Sequence, residues 1–455
     1  MRTIIVSSIA ILAAFTVSCP GSGGDAPAAQ HKDGSAAADR APVSTAWQLF
    51  DVPSCAPLAS DQTGYQTVAA ASGGKVAFAT LTQTVDQAPC AIEGRPGATA
   101  SVTGLCLVLP SASGFDGTIA ASLPYAAMMG VGLAFDKAGE PWLAYTGGPS
   151  AAQRCGASDM MLASVSGGKL GTPITIATGS QSSGMPADQT IACAAQNVCN
   201  QGDATGYWPA AALDPVSGTL AVAFRDLHFG FADTDFNSSD VEFARGDAFP
   251  VFTADVARGG GTYIRLGFSP AGKAAIVHYN TYQPAIWIDH ELAQTWESQK
   301  LFVGTIREQI GFAVSRQGLH ALAYCEDARS VLSYRESSDG STWTTTEDID
   351  RDGLTGYTPS LAFDDNGEPA IAYYRCNDYG ADAGCDPEKD GLYLIRRRGG
   401  VWGAPQKISS QSGISDGQYP ALAFADGKAV IAFQSSYYDF VAGSSKTMLS
   451  VAKEP

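Results

Sequence analysis

Carboxylates, arginines and tyrosines recur in five polar stretches of the chain, and these residue types could hold a ligand. The stretches read FRDLHFGFADTDFNSSD, HYNTYQP, CEDARS, YYRCNDYGADAGCDPEKD and QSSYYDF. Carboxylates and arginines supply charged hydrogen bonds and tyrosines supply flat faces with a polar tip, which suits a sugar or an extended polypeptide. The candidate ligand-binding residues are Arg225, Asp226, His228, Tyr279, Asn280, Glu326, Asp327, Tyr374, Arg375, Asp378, Tyr437 and Asp439. The alternative is that they are solvated loop residues, held by salt bridges such as Arg375–Asp378.

A second pattern could bind a cation. Asp348, Asp350 and Asp352 alternate along the chain and a glycine follows them, as in a Ca²⁺-binding loop. The twelfth position, where such a loop has a bidentate Glu, is Pro359. The same residues would also serve as a turn between two sheets, so Ca²⁺ binding and a plain turn both remain open. No other cofactor is expected.

The ten cysteines fit an exported, oxidising setting. Cys325 lies in the strand pattern LHALAYC, and we expect it to be a buried free thiol. There is no C-x-x-C pair, so neither a zinc site nor a redox motif is indicated. The candidate disulfides join cysteines that lie close together in sequence: Cys193–Cys199, Cys376–Cys385 and Cys90–Cys106.

The beginning of the chain is expected to lie outside the fold. Residues 1–19 have a positive start, an apolar core and small residues before Cys19, as in an export signal. A Cys at this place resembles the lipobox of bacterial lipoproteins, and that resemblance implies that Cys19 is lipidated; a plain secretory peptide is the alternative. Residues 20–45 are rich in Gly, Ala and Ser and indicate a flexible tether. We expect a protein of the cell envelope, attached to the membrane only through its lipid, or a secreted one.

Composition narrows the fold and the partners. Only 16% of the residues are charged while 45% are hydrophobic, and the chain contains 50 glycines. This balance excludes a disordered chain and disfavours exposed amphipathic helices, so a turn-rich β protein is expected. A net charge of −17 repels phosphate backbones, so nucleic acid is not expected as a partner.

One phrase recurs along the chain and organises it: a short alternating strand, a turn with Asp or Ser leading to Gly, and a second strand ending in Ala and an aromatic residue. Each copy leaves room for two more strands, which is the unit of a propeller blade. AWQLFDV at residues 46–52 is a lone strand that can complete the last blade and close the ring. We predict an all-β, seven-bladed propeller of four-stranded antiparallel blades over residues 46–455. The turn glycines of the copies are Gly74, Gly139, Gly218, Gly272, Gly318, Gly367 and Gly427.

In such a blade the loop after the second strand shares one face of the ring with the loop that connects neighbouring blades. All five polar stretches follow second strands, so we expect their candidate residues on one loop-rich face.

PSLAFDDNGEPAIAYY resembles the repeats of bacterial secreted propellers grouped with sialidase-type and Asp-box proteins, and SSDGSTW at residues 337–343 approximates the Asp-box. In that family the box is a structural turn. The resemblance covers residues 46–452 and implies the propeller fold. We expect a monomeric binding or scaffold protein for a glycan or protein ligand. The alternative implied by the resemblance is a glycoside hydrolase or lyase on the same face, whose arginines, tyrosines and acids would be Arg154, Arg225, Arg375, Tyr279, Tyr374, Glu326 and Asp226.

Overall fold

The computed structural model describes residues 47–55, 67–89, 97, 99–124, 130–148, 158–178, 204–227, 239–246, 252–258, 261–281, 283–293, 295–376, 390–409, 414–439 and 444–455. Within these ranges the chain forms strands, turns and loops, with one 3-10 turn at Pro53–Cys55. Nowhere in them is a helix long and apolar enough to cross a bilayer.

The strands build seven antiparallel sheets, called blades 1 to 7. The first strand, β1 (Gln48–Asp51), belongs to blade 7. Blade 1 consists of β2 (Val68–Ser72), β3 (Lys75–Pro89), β4 (Thr99–Ser111) and β5 (Gly114–Pro124). Blade 2 consists of β6 (Gly132–Phe135), β7 (Pro141–Gly147), β8 (Asp159–Ser166), β9 (Lys169–Leu170) and β10 (Ile174–Ala177). Blade 3 consists of β11 (Ala204–Leu213), β12 (Leu220–Leu227), β13 (Ser239–Arg245) and β14 (Phe252–Arg258).

Blades 4 to 7 follow in the same order. Blade 4 consists of β15 (Thr262–Phe268), β16 (Ala274–Asn280), β17 (Ala285–Glu291) and β18 (Trp296–Val303), and blade 5 of β19 (Gly311–Val314), β20 (His320–Glu326), β21 (Val331–Ser337) and β22 (Glu347–Asp350). Blade 6 consists of β23 (Leu354–Phe363), β24 (Pro369–Cys376), β25 (Gly391–Arg398), β26 (Val401–Trp402) and β27 (Gln406–Ser409). Blade 7 consists of β28 (Ile414–Ala425), β29 (Lys428–Asp439) and β30 (Ser444–Lys453), and β1 completes it. Beyond four strands, only short β9 and one short strand of blade 6 are added among the described residues.

The repeated phrase folds into the first two strands of each blade, as predicted. In blade 6 the Asp364 carboxylate accepts hydrogen bonds from Asn366 N and Glu368 N at 2.9 Å, which closes the turn. The turn glycine needs a left-handed backbone, and all seven glycines predicted for this position have φ between 71° and 89°.

The innermost strands form a closed ring. β2, β6, β11, β15, β19, β23 and β28 contact one another in this order, and β28 contacts β2. Each of the seven hydrophobic clusters lies between two neighbouring blades. The aromatic residue that ends the phrase packs there, as Tyr324 and Tyr373 illustrate at 1% and 0% exposure. Burial between blades therefore stabilises the ring, and among the described residues no blade forms a separate core.

The two ends of the ring meet in blade 7, which confirms the predicted closure. β1 pairs antiparallel with β30, with Gln48 opposite Lys453 and Asp51 opposite Ser450. Ser450 Oγ donates a hydrogen bond to Asp51 Oδ1 at 2.9 Å. Trp47 is 7% exposed and packs into the cluster between blades 6 and 7. The N-terminal strand thus covers the edge that β30 would otherwise expose.

The cysteines follow the expectation in part. Cys106 forms a disulfide with Cys55, so the predicted Cys90–Cys106 pair is wrong. The reason is the ring closure: the turn that carries Cys55 continues the strand of blade 7 and contacts β5 of blade 1. Cys325 is a buried free thiol, as predicted. Cys376 is disulfide-bonded, while Cys385, Cys193, Cys199, Cys90 and Cys19 lie outside the described residues.

The Asp-box is a structural turn between β21 and β22. The Asp339 carboxylate accepts hydrogen bonds from Ser337 Oγ, Ser341 N and Thr342 N, and these bonds, that from Thr342 foremost, lower the pKa of Asp339. Trp343 Nε1 donates to Gly340 O at 2.9 Å. The box therefore fixes a loop and places no reactive group.

Candidate functional site

Each innermost strand begins on the same face of the ring on which the second strand of its blade ends. Thr262, at the start of β15, pairs with Tyr279, and Leu354, at the start of β23, pairs with Cys376. The loops between blades and the loops after the second strands therefore share one face, called the loop face, as predicted. The Asp–Gly turns lie on the opposite face, called the turn face.

A strained backbone position recurs where the innermost strands begin. At the equivalent repeat position, five blades carry a non-glycine residue in the left-handed region, and in blade 2 the position is a glycine with φ 97°. In β11, β15, β23 and β28 the pairing with the second strand shifts beside this residue, as in a β-bulge. Each such residue costs about 1–3 kcal/mol of backbone strain. The five are Trp208, Tyr263, Gln309, Thr358 and Tyr419, with φ between 45° and 56°.

Three of these residues and Glu308, the residue before Gln309, lie where the innermost strands begin, and we call Trp208, Tyr263, Glu308 and Tyr419 the mouth cluster. The ring centroids of Trp208 and Tyr263 are 6.3 Å apart with the rings nearly perpendicular. The Tyr419 hydroxyl donates a hydrogen bond to the Glu308 carboxyl, which joins blade 7 to the start of blade 5. Trp208 is 6% exposed and the other three are partly buried. The cluster therefore combines aromatic faces with one carboxyl group.

Burial sets the electrostatics of the cluster. It raises the pKa of Glu308, against the opposing effects of the Tyr419 hydrogen bond and the positive charge of Arg307. Burial also raises the pKa of Tyr263, and the negative charge of Glu308 adds to that rise. Tyr263 therefore stays a neutral hydrogen-bonding phenol near neutral pH, and Glu308 holds its proton to a higher pH than an exposed glutamate would.

Arg225 packs against the Trp208 ring of this cluster. Its guanidinium carbon lies 5.2 Å from the centre of the Trp208 ring, and its Nη1 donates to Thr262 Oγ1 at 3.1 Å. Its side chain also packs on Gly261, where an added Cβ would lie 2.9 Å from it. Arg225 is 2% exposed, and burial lowers its pKa to about 10. The neighbouring Asp226 is 1% exposed, so this predicted pair lies inside the protein.

The candidates of blade 4 lie beside the cluster. The rings of Tyr279 and Tyr263 are stacked with centroids 6.4 Å apart, and the Tyr279 hydroxyl donates to Gly304 O at 3.4 Å. Asn280 Oδ1 accepts a hydrogen bond from Gln283 N at 2.9 Å, which closes its own loop. Tyr279 thus extends the aromatic surface, while Asn280 shapes the loop next to it.

The acidic candidates of blade 5 are paired with arginines. Glu326 Oε2 lies 2.5 Å from Arg329 Nη2, and Asp327 Oδ1 lies 2.6 Å from Arg307 Nε. The Arg307 guanidinium also lies 5.2 Å from the centre of the Tyr357 ring. These ion pairs brace the loop face and hold the segment that leads to Glu308.

In blade 6 the candidates also have internal partners. The Tyr374 hydroxyl donates to Asp390 Oδ2 at 2.5 Å. Arg375 contacts Asp352, and its Nη1 lies 3.7 Å from Asp350 Oδ2. Asp378, the salt-bridge partner expected from the sequence, and His228 lie outside the described residues. Tyr437 and Asp439 end β29 opposite Lys446 and Ser444, on the loop face.

The three candidate Ca²⁺ ligands have partners of their own. Asp348 pairs with Arg329 and, at 3.1 Å, with Arg351. Asp350 Oδ2 accepts the Tyr373 hydroxyl at 2.5 Å and its Oδ1 accepts Asp352 N at 3.1 Å. Across the described ranges, no group of three or more His, Cys, Asp or Glu side chains is arranged to hold a metal ion. Ca²⁺ binding by this run stays a prediction.

The mouth cluster was not among the sequence candidates. Its residues stand directly before the repeated phrase, outside the polar stretches, and Trp208 and Tyr419 each precede a proline. The signal that could have found Trp208, Tyr263 and Tyr419 is the repeat itself, because copies that are otherwise rich in Ala are preceded by bulky or polar residues at this one position. Their left-handed backbone is a property that the sequence does not display.

No protein-family model matches the sequence, and no curated protein matches it either. Among solved structures, the chain is similar to a Hadza microbial sialidase at 12% identity and a TM-score of 0.45, over 78% of this chain and 73% of that one. It is similar to the polysaccharide lyase Uly1 at 10% identity and a TM-score of 0.49, over 91% and 98%. A lectin of Aleuria aurantia is similar at 10% identity and a TM-score of 0.39, over 77% and 99%. Likenesses of this size leave the ligand of this chain to be argued from its own residues.

Proposed function

We propose that the protein binds a carbohydrate on its loop face, at the mouth cluster. The observation that carries this proposal is the contiguous set of aromatic faces around the Glu308 carboxyl, formed by Trp208, Tyr263 and Tyr419. Sugar rings present apolar C–H faces that pack on aromatic rings, and their hydroxyls need hydrogen-bond partners at the ring edge. The cluster supplies both kinds of contact in one place.

The test is binding of a panel of oligosaccharides to the full chain, measured by calorimetry. We expect Trp208→Leu to weaken binding by at least about fivefold, because one stacked aromatic contact is worth about 1–3 kcal/mol. Trp402→Leu is the matched control, since Trp402 packs on Tyr334 in the outer part of blade 6. Equal affinities for both variants and the unaltered protein, or a ligand that proves to be a polypeptide, would overturn the proposal.

One observation favours a second candidate function, a carbohydrate-active enzyme. Glu308 is a carboxyl group whose pKa is raised by burial, and it accepts a hydrogen bond from a tyrosine hydroxyl. A group with this environment can act as a general acid. Turnover of fluorogenic sialosides or other glycosides that disappears in Glu308→Gln would support an enzyme. Binding without turnover would favour the binding protein.

We also propose that the protein is exported and held at the cell envelope through a lipid on Cys19. The support is the apolar leader that ends at this cysteine and the Gly- and Ala-rich stretch behind it. Metabolic labelling with a fatty acid should mark the protein and should fail to mark Cys19→Ser. Labelling that persists in that variant would contradict the anchor.

A further inference from the structure

The start of blade 5 differs from every other blade start among the described residues. Blades 3, 4, 6 and 7 each have two left-handed residues there, a glycine and, two residues later, one non-glycine residue. Blade 5 has two in succession, Glu308 with φ 42° and Gln309 with φ 45°. Blade 5 therefore gives a glutamate the left-handed conformation that the other blade starts give to a glycine, and strain of this kind concentrates at functional sites.

The segment before Glu308 is held firmly, which keeps the carboxyl in place. Arg307 N donates to Cys325 O at 2.9 Å and Asp327 N donates to Thr305 O at 3.0 Å, along the end of β20. The Arg307 side chain is engaged by Asp327 at 2.6 Å and by the Tyr357 ring. The carboxyl itself is hydrogen-bonded by the Tyr419 hydroxyl.

When Glu308 is ionised, it and Asp327 outnumber Arg307, and Arg225, the cation against Trp208, is followed in the sequence by Asp226. Arg307 is the cation whose charge is felt by Glu308, and Asp327 already forms an ion pair with it. The whole chain carries −17, so an approaching cation is attracted from a distance and an anion is repelled. The aromatic faces of Tyr263 and Tyr419 present an electron-rich surface on which cations rest, whereas the Trp208 ring already contacts the Arg225 guanidinium.

We propose that the ligand of the mouth cluster is a glycan with free amino groups, whose ammonium group is bound by Glu308 between the tyrosine rings. The inference rests on the proposed carbohydrate-binding function and names its ligand class. An amino sugar matches both halves of the site. Its ammonium pairs with the carboxylate, and its sugar ring packs on the aromatic faces of Tyr263 and Tyr419.

A pair of probes that differ only in charge tests this. A tetramer of β-1,4-linked glucosamine and its fully N-acetylated counterpart have the same length and linkage, and calorimetry gives the affinity of the full chain for each. We expect the amine form to bind at least about tenfold more tightly, which is the effect of one charge-assisted contact. Equal affinity, or tighter binding of the acetylated form, would overturn the inference while leaving carbohydrate binding in place.

The variants assign the preference to one residue. Glu308→Gln removes the charge and keeps the size, so we expect the preference for the amine form to disappear while binding of the acetylated form changes less than about twofold. Glu140→Gln is the matched control, because Glu140 is exposed at the turn of blade 2 on the turn face, and we expect it to keep the full preference. A preference that survives in Glu308→Gln contradicts the assignment.

Two further measurements distinguish failure of the amino-sugar inference from failure of the proposed carbohydrate binding. Nα-acetylated tetralysine carries four ammonium groups, as the glucosamine tetramer does, but has no sugar hydroxyls, and tighter binding of this peptide than of the glucosamine tetramer would overturn the ligand class in favour of a peptide. If neither tetramer binds but another neutral glycan of the panel does, the amino-sugar inference fails and the proposed function stands. If no glycan binds at all, both fail.

Discussion

The disulfide between Cys55 and Cys106 links blade 7 to blade 1, and its removal should lower the free energy of unfolding by several kcal/mol. Cys55 and Cys106 are 51 residues apart in sequence and join the segment that follows β1 to β4 of blade 1. Opening a loop of this length adds chain entropy to the unfolded state worth about 4 kcal/mol. We therefore predict that the double variant Cys55→Ala/Cys106→Ala loses about 4 kcal/mol of unfolding free energy beyond the effect of the two removed sulfur atoms.

Urea unfolding followed by tryptophan fluorescence and by circular dichroism measures this loss. The matched control is Cys325→Ala, a buried free thiol whose Sγ donates to Thr355 O at 3.2 Å. It gauges the cost of losing one buried sulfur, about 1 kcal/mol. The loss of unfolding free energy in the double variant is compared with twice the loss in Cys325→Ala. If the double variant loses no more than that, the pairing of β1 with β30 and the interblade clusters hold the ring without the covalent link.

Three further predictions concern pH, calcium and the support of the site. Burial lowers the pKa of His290 and of His320, whose rings lie 6.0 Å apart. An unfolded histidine has a pKa of 6.5, so as the pH falls through this value the unfolded chain takes up protons that the folded chain does not. The melting temperature should therefore fall as pH drops from 7.5 towards 5, and a double His→Gln variant should flatten that fall; an unchanged slope would contradict the cause. Because arginines and a tyrosine already engage Asp350 and its neighbours, excess Ca²⁺ or chelator should leave the melting temperature unchanged. A rise with Ca²⁺ that Asp350→Asn abolishes would instead establish the calcium site. Arg225→Met keeps the apolar contact with Trp208 and loses the hydrogen bond to Thr262. We expect it to lower the free energy of unfolding in urea by about 1.5–3 kcal/mol and to shift the fluorescence of Trp208. No change in either quantity would mean that Arg225 does not support the mouth cluster.

Much of the architecture was predictable because the repeated phrase carries its own local code. The alternation of apolar residues places two strands, and the Asp- or Ser-led turn ends in a glycine such as Gly367, whose φ of 79° suits no other residue as well. The closure was predictable because residues 46–52 form a strand without a hairpin and blade 7 lacks a fourth strand. Each inference used only local pattern and the need to cover sheet edges.

The site was less accessible to sequence reasoning, because side-chain direction depends on the ring. Arg225 and Asp226 follow a second strand, as loop-face ligands would, yet both are turned inward at 2% and 1% exposure. Glu308 stands in an inconspicuous stretch, and only its left-handed backbone and its hydrogen bond from Tyr419 mark it. The pairing of Cys106 with Cys55 likewise depends on a contact that exists only once the ring has closed.

A crystal structure of the full chain with the glucosamine tetramer tests the account most directly. The account predicts a sugar ring packed between Trp208, Tyr263 and Tyr419, with its amine about 3 Å from the Glu308 carboxylate. Sugar bound on the turn face or at the outer edge of a blade, with the mouth cluster empty, would contradict it.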